Sequence, residues 1–473
     1  MTSVRTRFAP SPTGFLHVGG IRTALFAFLV ARQASGTFVL RFEDTDKKRE
    51  VAGSAEHLIA SLKAIGIEYD EGPDIGGPYG PYIQSQRLDH YKLWAQKLID
   101  QGRAYADPYS SEEMQGFRDE AAAAKRAFRY RDYRPENPPA WDGSTPLRFK
   151  ADPKTYTYHD EVMGDVTTSP EVVDDFILIK SDGYPTYNFA HIIDDTEMEI
   201  SHVIRGQEFI SSMPNYLALY EALGLVRPIF AHMPHIMNEQ GNKKLGKRDG
   251  AKDVLDYIRD GYLPETMMSF IATMGWNDGT EQEVFTKAEL IEKFSLSRVQ
   301  KSGARFDEKR LLWMNGHFIR ELSLDELATR IEFFWSESAK KASETYKKQV
   351  LALAQDRLKT LKDLPALTSY FFEEPAVDMS LLTDNKQLKK LSDTERNDLL
   401  NSVKNSFEAL DTWTPESIQD CLNGLLETTG QKPGTLFSLI RIVTTWAPFS
   451  PQLNDTLALL GKETTLRRLT TAL

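Results

Sequence analysis

Two short segments, far apart in this chain, carry residues suited to binding phosphate. The first is FAPSPTG from Phe8, followed two residues later by HVGG from His17. Its prolines and glycine fix a tight turn. Gly19 and Gly20 place backbone without side chains at the start of a helix, where N–H groups and the macrodipole favour phosphate. The imidazole of His17 could donate a hydrogen bond to a phosphate oxygen beside that helix start.

The second segment is KKLGKR, whose cations are Lys243, Lys244, Lys247 and Arg248. Together with Gly246, they are typical of a loop that closes over a triphosphate and neutralises its charge. Taken alone, each segment is more often something simpler, a plain turn in the first case and a solvated basic loop or surface patch in the second. The two together, with the first lying between a strand and a helix, favour phosphate chemistry.

The elements around the first segment are predicted to alternate between strand and helix. Residues 4–8 are predicted as a strand, residues 21–29 as a helix, residues 38–42 as a buried strand and residues 53–65 as a second helix. This alternation is typical of a parallel, doubly wound sheet of the Rossmann type. The sequence therefore predicts one half of a nucleotide-binding domain here.

Strand patterns return later in the chain. They occupy residues 186–193, 202–205 and 229–236, with a helix beginning near Ser212. We interpret this region as the second half of the same domain, closed by the KKLGKR segment. The predicted fold class is therefore α/β with a split, doubly wound nucleotide-binding domain.

Residues between the two halves, and those after them, differ in character. The intervening stretch has a polar helix after Ser110, a proline-rich passage at residues 135–146 and strand-like runs at residues 147–149 and 176–180, which together predict an α/β insertion. Beyond about residue 254 the apolar spacing becomes almost wholly helical. The sequence therefore predicts an all-α C-terminal region.

Composition narrows the class of protein. At 473 residues with 41% hydrophobic content, the chain is expected to hold two or more domains. No stretch approaches the ~20 apolar residues of a membrane span, and no apolar signal region is present, so we expect a cytoplasmic protein without a membrane partner. The single cysteine, Cys421, forbids an internal disulfide and any multi-cysteine site, so no structural zinc or other metal site is expected.

The net charge of −11 is unfavourable for general nucleic-acid binding, because releasing counterions from phosphates rewards cations. Local charge decides such binding, and basic residues do cluster at residues 126–134 and 340–362. Each cluster is also typical of a solvated helix face.

Longer stretches of sequence extend these segments and carry a family resemblance. They are RFAPSPTGFLHVGGIRTALF from Arg7, RFEDTD from Arg41, YDEGPD from Tyr69, SDGYPTYNFA from Ser181, HVIRGQE from His202, KLGKRDG from Lys244 and RFDEKRLLWMNGHFIR from Arg305. Through them the chain resembles bacterial-type glutamyl-tRNA synthetases, which are class I aminoacyl-tRNA synthetases, along essentially its whole length. The resemblance implies a monomeric glutamate–tRNA ligase that uses ATP with Mg²⁺, L-glutamate and tRNA(Glu), with no role for DNA.

The resemblance also implies a division into domains. It gives a split catalytic domain at residues 1–80 and 183–250, an acceptor-binding insertion at 81–182, a stem-contact domain at 251–320 and an all-helical anticodon-binding domain at 321–473. A glutaminyl-type enzyme would end in two β-barrels, so the helical tail favours the glutamyl branch. The tail also argues against the short relative that attaches glutamate to a modified base.

The site residues follow from the same resemblance. Those implied for ATP are His17, Gly19, Gly20, Glu208, Lys244, Lys247 and Arg248, of which His17, Lys244 and Lys247 are the catalytic ones. Those implied for glutamate are Arg7, Ala9, Ser11, Glu43, Tyr187 and Arg205. A side-chain carboxylate needs a cation in bidentate geometry, for which Arg7 and Arg205 are the two candidates, and Glu43 would receive the ammonium group. For these three charged residues a structural ion pair is the alternative.

Several points stay open at this stage. Relatives vary at the position of His191, and Gly246 replaces the family's usual serine. Arg357 matches an arginine that some relatives use to read the last anticodon base. The alternatives to a ligase specific for tRNA(Glu) are one that also charges tRNA(Gln), an inactive tRNA-binding paralogue, and a nucleotidyltransferase with a similar loop.

Overall fold

The computed structural model describes residues 3–16, 18–246 and 252–473, and the chain divides into two compact units. The first comprises Met1–Ile258 and Met267–Glu308, and the second comprises Arg259–Thr266 and Lys309–Leu473. The strands are β1 Arg5–Phe8, β2 Thr37–Leu40, β3 Ala104–Ala106, β4 Leu147–Phe149, β5 Tyr156–Asp160, β6 Gly164–Thr168, β7 Ile177–Ile179, β8 His202–Gly206, β9 Ile229–Met233, β10 Ile236–Met237 and β11 Ala304–Arg305.

Nine α-helices lie among these strands within the described part of the chain up to residue 293. They are α1 Val18–Gln33, α2 Ser54–Ala64, α3 Leu88–Asp100, α4 Ser111–Ala123, α5 Tyr187–Glu197, α6 Met213–Ala222, α7 Val254–Arg259, α8 Pro264–Ala272 and α9 Lys287–Lys293. A 3-10 helix, Gln207–Ser212, joins β8 to α6. Helix α4 begins at the predicted point because the Ser110 hydroxyl accepts a hydrogen bond from the Glu113 N–H and the Glu113 carboxylate accepts one from the Ser110 N–H.

Six strands form the central sheet, in the order β2-β1-β8-β9-β5-β6. Neighbouring strands are parallel except β5 and β6, which form an antiparallel hairpin. Strand β1 is followed in the chain by α1 and then by β2, which lies on one side of β1. Strand β8 lies on the other side of β1, so the strand order reverses at β1. Ligands of doubly wound sheets bind at the carboxyl ends of the strands at such a reversal. The predicted doubly wound α/β fold is confirmed.

Two smaller sheets complete the first unit. The antiparallel sheet β3-β4-β7 lies within the predicted insertion, and β10 pairs with β11. The hairpin β5-β6 also belongs to the stretch predicted as an insertion, and it extends the central sheet through β9.

The prediction of a strand at residues 186–193 is wrong, because this segment forms helix α5. Seven of its residues are buried, including Phe189, Ile192 and Asp195, so the helix has no solvated face to reveal a 3.6-residue period. A short apolar run buried on all sides cannot be assigned to strand or helix from its pattern. The strand predicted at residues 229–236 is divided into β9 and β10, with Pro234, which has no N–H to donate, between them.

The second unit is built from helices, as predicted. They are α10 Glu308–Glu321, α11 Leu324–Ile331, α12 Glu344–Ala354, α13 Leu364–Thr368, α14 Ser380–Thr383, α15 Asp393–Glu408, α16 Pro415–Thr429, α17 Pro433–Thr445, α18 Leu453–Leu460 and α19 Lys462–Thr471. Their buried faces form one core, with members such as Leu327, Val350, Leu422 and Leu439. Cys421 packs half-buried against this core.

Within the described ranges, no helix combines the length and apolarity needed to cross a membrane. No group of three or more His, Cys, Asp or Glu side chains there could hold a metal ion.

Candidate active site

Arg7 and Arg205 lie on the adjacent strands β1 and β8, where the strand order reverses, and both are buried. Arg7 makes a bidentate ion pair with Asp195, with Nε 3.0 Å from Oδ1 and Nη2 3.2 Å from Oδ2. A third nitrogen, Nη1, donates to the backbone carbonyl of Ile204 at 3.3 Å. The charge of Arg7 is therefore already matched by a carboxylate of the protein.

Arg41 extends this ion pair into a buried network. Its Nη1 lies 2.9 Å from Asp195 Oδ1, its Nη2 lies 3.0 Å from Glu43 Oε1, and its Nε lies 3.6 Å from Asp194 Oδ2. Arg87 joins through Nε, at 2.7 Å from Asp194 Oδ1. Three guanidinium groups, Arg7, Arg41 and Arg87, thus face the three carboxylates of Glu43, Asp194 and Asp195.

The carboxylates of this network differ in their pKa values. Burial opposes the ionisation of Asp195, but the charges of Arg7 and Arg41 hold its pKa below the usual range. Burial raises the pKa of Glu43 to about 7, although Arg41 and Arg7 oppose the shift. Glu43 is therefore a carboxylate that changes its charge near neutral pH.

Arg205 has a different environment. It is 4% exposed, and no carboxylate within the described ranges lies at ion-pair distance from it. Its Nε donates to His232 Nε2 at 3.1 Å and its Nη1 to His191 Nε2 at 3.2 Å, while Nη2 lies 2.9 Å from the sulfur of Met213. The rings of Phe209 and Tyr216 lie 5.0 Å from its guanidinium carbon. Arg205 is a buried cation held by neutral groups.

A cavity of about 500 Å³ opens beside this cluster, and Ser11, Glu43 and Tyr187 line it. The ring of Tyr187 also stacks on that of His191, with centroids 4.6 Å apart. Lysines and an arginine line another part of the same cavity: Lys47, Lys48, Arg49 and Lys180. Ala9 is half-buried in the loop after β1. The residues predicted to bind glutamate thus gather at the carboxyl ends of β1 and β8.

Residues predicted to bind ATP come from three segments. Gly19 and Gly20 form the first turn of α1, and a Cβ atom at Gly20 would lie 2.5 Å from Cδ1 of Leu16, so a larger residue there would require the Leu16 side chain to move. Glu208 follows β8 in the 3-10 helix, with Oε2 3.8 Å from His235 Nδ1. His17, Lys247 and Arg248 lie outside the described residues.

Lys244 is placed by a turn that follows β10. The Leu245 N–H donates to the Ile236 carbonyl at 2.8 Å, and the Asn238 N–H donates to the Lys243 carbonyl at 3.0 Å. Burial lowers the pKa of His235, and the charge of Lys244 lowers it further, so Lys244 lies close to His235 and, through it, to Glu208.

Comparisons with known proteins bear on this geometry. Residues 3–313 match the model of the catalytic domain of class I tRNA synthetases (E and Q), and residues 324–473 match an anticodon binding domain. A glutamate–tRNA ligase of Clostridium botulinum is 41% identical over 480 aligned positions, covering 98% of this chain and 97% of that protein. The chain belongs to the glutamate–tRNA ligase family. A glutamate–tRNA ligase from Exiguobacterium sibiricum is 38% identical, and the match covers 99% of this chain and 100% of that protein.

Solved structures of the family agree over the whole length. The crystal structure of a glutamate tRNA ligase from Elizabethkingia meningosepticum, in complex with its amino acid, matches with a TM-score of 0.88 and 33% identity, covering 99% of each chain. A glutamate–tRNA synthetase from Elizabethkingia anophelis matches with a TM-score of 0.86. The predicted class I aminoacyl-tRNA synthetase family is thereby confirmed, and with it the prediction that the chain is an enzyme.

Several residues of this site are absent from the set that the family resemblance implies. Asp194 and Asp195 lie seven and eight residues after Tyr187 on α5, so a correct helix assignment would have placed them near the side of Tyr187. His232 and Asp160 give no signal in the sequence, because they are neighbours only through the adjacency of β5 and β9.

Arg357, predicted to read an anticodon base, is exposed and lies in the second unit, at the end of the 3-10 helix Gln355–Arg357. Arg441 of α17 is near it, since burial lowers the pKa of Arg441 and the charge of Arg357 lowers it further. Arg441 donates from Nε to the Ser450 hydroxyl at 2.9 Å. Among the described residues neither arginine has an ion-pair partner, which suits a surface for an anionic ligand.

Proposed function

We propose that this family member activates L-glutamate with ATP as glutamyl-adenylate and transfers the glutamyl group to the 3′ end of tRNA(Glu). The observation that carries the choice of amino acid is Arg205, a buried cation with no described carboxylate at ion-pair distance. Its neighbours His191 and Phe209 stack on the ring of Tyr187, which lines the cavity. An isolated buried charge is unfavourable until it is paired. The side-chain carboxylate of glutamate would supply that partner.

The remaining groups suit the rest of the amino acid. Glu43 lines the same cavity and would accept hydrogen bonds from the ammonium group, while Ser11 lies on the loop beside it. Arg7 is placed second to Arg205 for the side-chain carboxylate, because two of its nitrogens are already bonded to Asp195. Glutamine would place a neutral amide at Arg205 and would lose the charge-assisted hydrogen bonds.

The ATP phosphates would lie at the start of α1, where Gly19 and Gly20 present backbone N–H groups and the helix dipole favours negative charge. Lys244 approaches from the turn after β10, and His17, Lys247 and Arg248 are expected to join it. Mg²⁺ enters with ATP, whose phosphate oxygens are ligands that it prefers.

The reaction then has two steps. A carboxylate oxygen at the α-carbon of glutamate attacks the α-phosphorus of ATP, and pyrophosphate leaves. The terminal ribose hydroxyl of tRNA next attacks the carbonyl carbon of the mixed anhydride, and AMP leaves. No nucleophile of the protein is required, so the chain contributes positioning and stabilisation of charge.

The test is aminoacylation with labelled glutamate on transcripts of tRNA(Glu) and tRNA(Gln), with pyrophosphate exchange measured in parallel. We expect charging of tRNA(Glu), and its absence together with absent exchange would indicate an inactive RNA-binding paralogue. Charging of both transcripts would reveal broader tRNA specificity. A chain truncated after Arg320 should lose charging, whereas a small-substrate nucleotidyltransferase would keep its activity.

A further inference from the structure

We propose that His232 and His191 are positioning residues that hold Arg205 through neutral hydrogen-bond acceptors and so keep its charge available for the substrate carboxylate. In this arrangement Asp160 fixes the tautomer of His232. The inference rests on the proposed function, because it assumes that Arg205 binds the side chain of the amino acid.

The hydrogen bonds determine both tautomers. A guanidinium can only donate, so His232 Nε2 must accept the bond from Arg205 Nε at 3.1 Å. Nδ1 of His232 then carries the proton and donates it to Asp160 Oδ2 at 2.6 Å. His191 repeats the pattern, with Nε2 accepting from Arg205 Nη1 at 3.2 Å and Nδ1 donating to the Tyr187 carbonyl at 2.7 Å. Both imidazoles are therefore neutral.

The surroundings favour the same state. Burial lowers the pKa of His191 to about 3, and the charge of Arg205 contributes to the shift. Burial also lowers the pKa of His232, against the opposing effect of Asp160. An imidazolium at either position would have no lone pair for Arg205 and would repel it.

Asp160 is held so that it does not itself neutralise Arg205. Its Oδ1 accepts backbone hydrogen bonds from Val162 at 3.0 Å, Met163 at 2.9 Å and His232 at 3.2 Å, leaving Oδ2 for the imidazole. Burial opposes the ionisation of Asp160, but the hydrogen bond from the His232 imidazole and the backbone N–H groups of Met163 and His232 keep its pKa below the usual range. The carboxylate is separated from Arg205 by the whole imidazole ring.

Arg205 differs from the neighbouring arginines in the charge of its hydrogen-bond partners. Arg7 and Arg41 are bonded directly to Asp195, whereas the acceptors that Arg205 finds among the described residues are uncharged. A neutral acceptor orients a guanidinium without cancelling its charge. The first two arginines are thus suited to structure, and Arg205 is suited to a carboxylate that arrives with the substrate.

A matched pair of variants separates charge from shape. His232→Gln keeps a neutral acceptor of similar reach, while His232→Glu has the same size but places a carboxylate against Arg205. We expect His232→Gln to change the KM for glutamate less than about threefold, and His232→Glu to raise it about 10- to 100-fold, the range for losing a hydrogen bond to a charged group. The KM for ATP should stay unchanged in both. Equal effects of the two variants, or a shift in the KM for ATP, would overturn the inference.

Arg205→Ala distinguishes this inference from the proposed function. If Arg205→Ala leaves the KM for glutamate unchanged, the assignment of Arg205 to the substrate fails. If Arg205→Ala raises that KM while His232→Gln and His232→Glu behave alike, only the role of the histidines fails. The variants His191→Gln and His191→Glu provide the same comparison from the other side of Arg205.

A measurement on the unmodified protein tests the tautomers even if a variant does not fold. The protein is labelled with ¹⁵N-histidine, and the imidazole signals of His232 and His191 are assigned by their absence in His232→Gln or His191→Gln, whichever folds. At pH 7 these signals should show a protonated Nδ1 and an unprotonated Nε2. An imidazolium or the opposite tautomer would contradict the proposal. If neither variant folds, the wild-type spectrum must still contain two such neutral signals that do not titrate between pH 5 and 8.

Discussion

His57 Nε2 lies 2.5 Å from Oδ2 of Asp253, and the two side chains are only 17% and 15% exposed. The ring of His57 also packs on Phe15, with centroids 4.6 Å apart. Phe15 precedes the His17 motif by two residues, and Asp253 follows the KLGKR motif. His57 on α2 is therefore a bridge between the chain segments that carry the two motifs.

This bridge should matter for ATP. His57→Phe and Asp253→Ala are each expected to raise the KM for ATP about three- to tenfold, because either change removes a partly buried hydrogen bond between the two segments. Pyrophosphate exchange with the two single variants and the double variant measures this. Since both changes break the same contact, the double variant should lose little more than either single one, and fully additive losses would show that the bridge does not couple the segments.

Arg7 and Arg205 should differ in what their loss costs. Arg7→Ala leaves Asp195 with Arg41 alone, so the free energy of unfolding should fall by about 3 kcal/mol, the lower end of the range for breaking a buried ion pair. Arg205→Ala breaks no ion pair and should chiefly raise the KM for glutamate. Denaturant unfolding and steady-state kinetics of both variants test this. The reverse pattern would make Arg7 the arginine that binds the substrate.

Glutamate binding should weaken in acid. The pKa of Glu43 is about 7, so the carboxylate is ionised above that pH and neutral below it. A neutral carboxyl cannot pair with the substrate ammonium, and the KM for glutamate should rise by up to about tenfold per pH unit below pH 7. Kinetics between pH 6 and 8.5 measure this. Glu43→Gln serves as the control, with a high KM that no longer changes with pH.

The family resemblance implies that Gly246 occupies the place of a serine. Gly246→Ser restores a hydroxyl that can donate a hydrogen bond, so we expect a lower KM for ATP with little change in kcat. Gly246→Ala is the matched control, because it adds a side chain without a donor. An unchanged or higher KM for ATP in Gly246→Ser would contradict the prediction.

Arg357 should act on tRNA and not on the chemical step. If it reads an anticodon base, Arg357→Ala should raise the KM for tRNA(Glu) about 10- to 100-fold, and a transcript altered at that base should show the loss with the wild-type enzyme. The variant should charge saturating tRNA at a normal kcat. Lys386→Ala, an exposed cation elsewhere in the second unit, is the control that should leave the KM for tRNA nearly unchanged.

Local patterns in the sequence predict much of this fold. The alternation of β1, α1, β2 and α2 follows from apolar spacing, and the helical second unit from the near absence of strand signals. Helix α5 could not be recognised in the same way, because it is buried on nearly all sides. The spacing that identifies an amphipathic helix is therefore missing in α5, the helix that carries Tyr187, Asp194 and Asp195.

The residues of the site fall into the same two groups, those that the sequence indicates and those that only the fold brings together. Arg7, Glu43, Tyr187 and Arg205 lie in stretches that resemble the family, and they gather at one edge of the sheet. Their partners could not be predicted, because contacts such as that of Asp160 with His232 join residues 72 positions apart. Such contacts depend on the order of strands in the sheet, which local spacing does not encode. Whether a given arginine is paired or free is therefore information that only the fold supplies.

The hairpin β5-β6 has a consequence for protein engineering. Because it continues the central sheet beyond β9, removing the stretch predicted as an insertion would leave the backbone of β9 as an open edge, prone to pairing with other chains. It would also take Asp160 away from His232. A graft that transfers the predicted insertion between relatives should therefore leave β5 and β6 in place, since both strands belong to the central sheet.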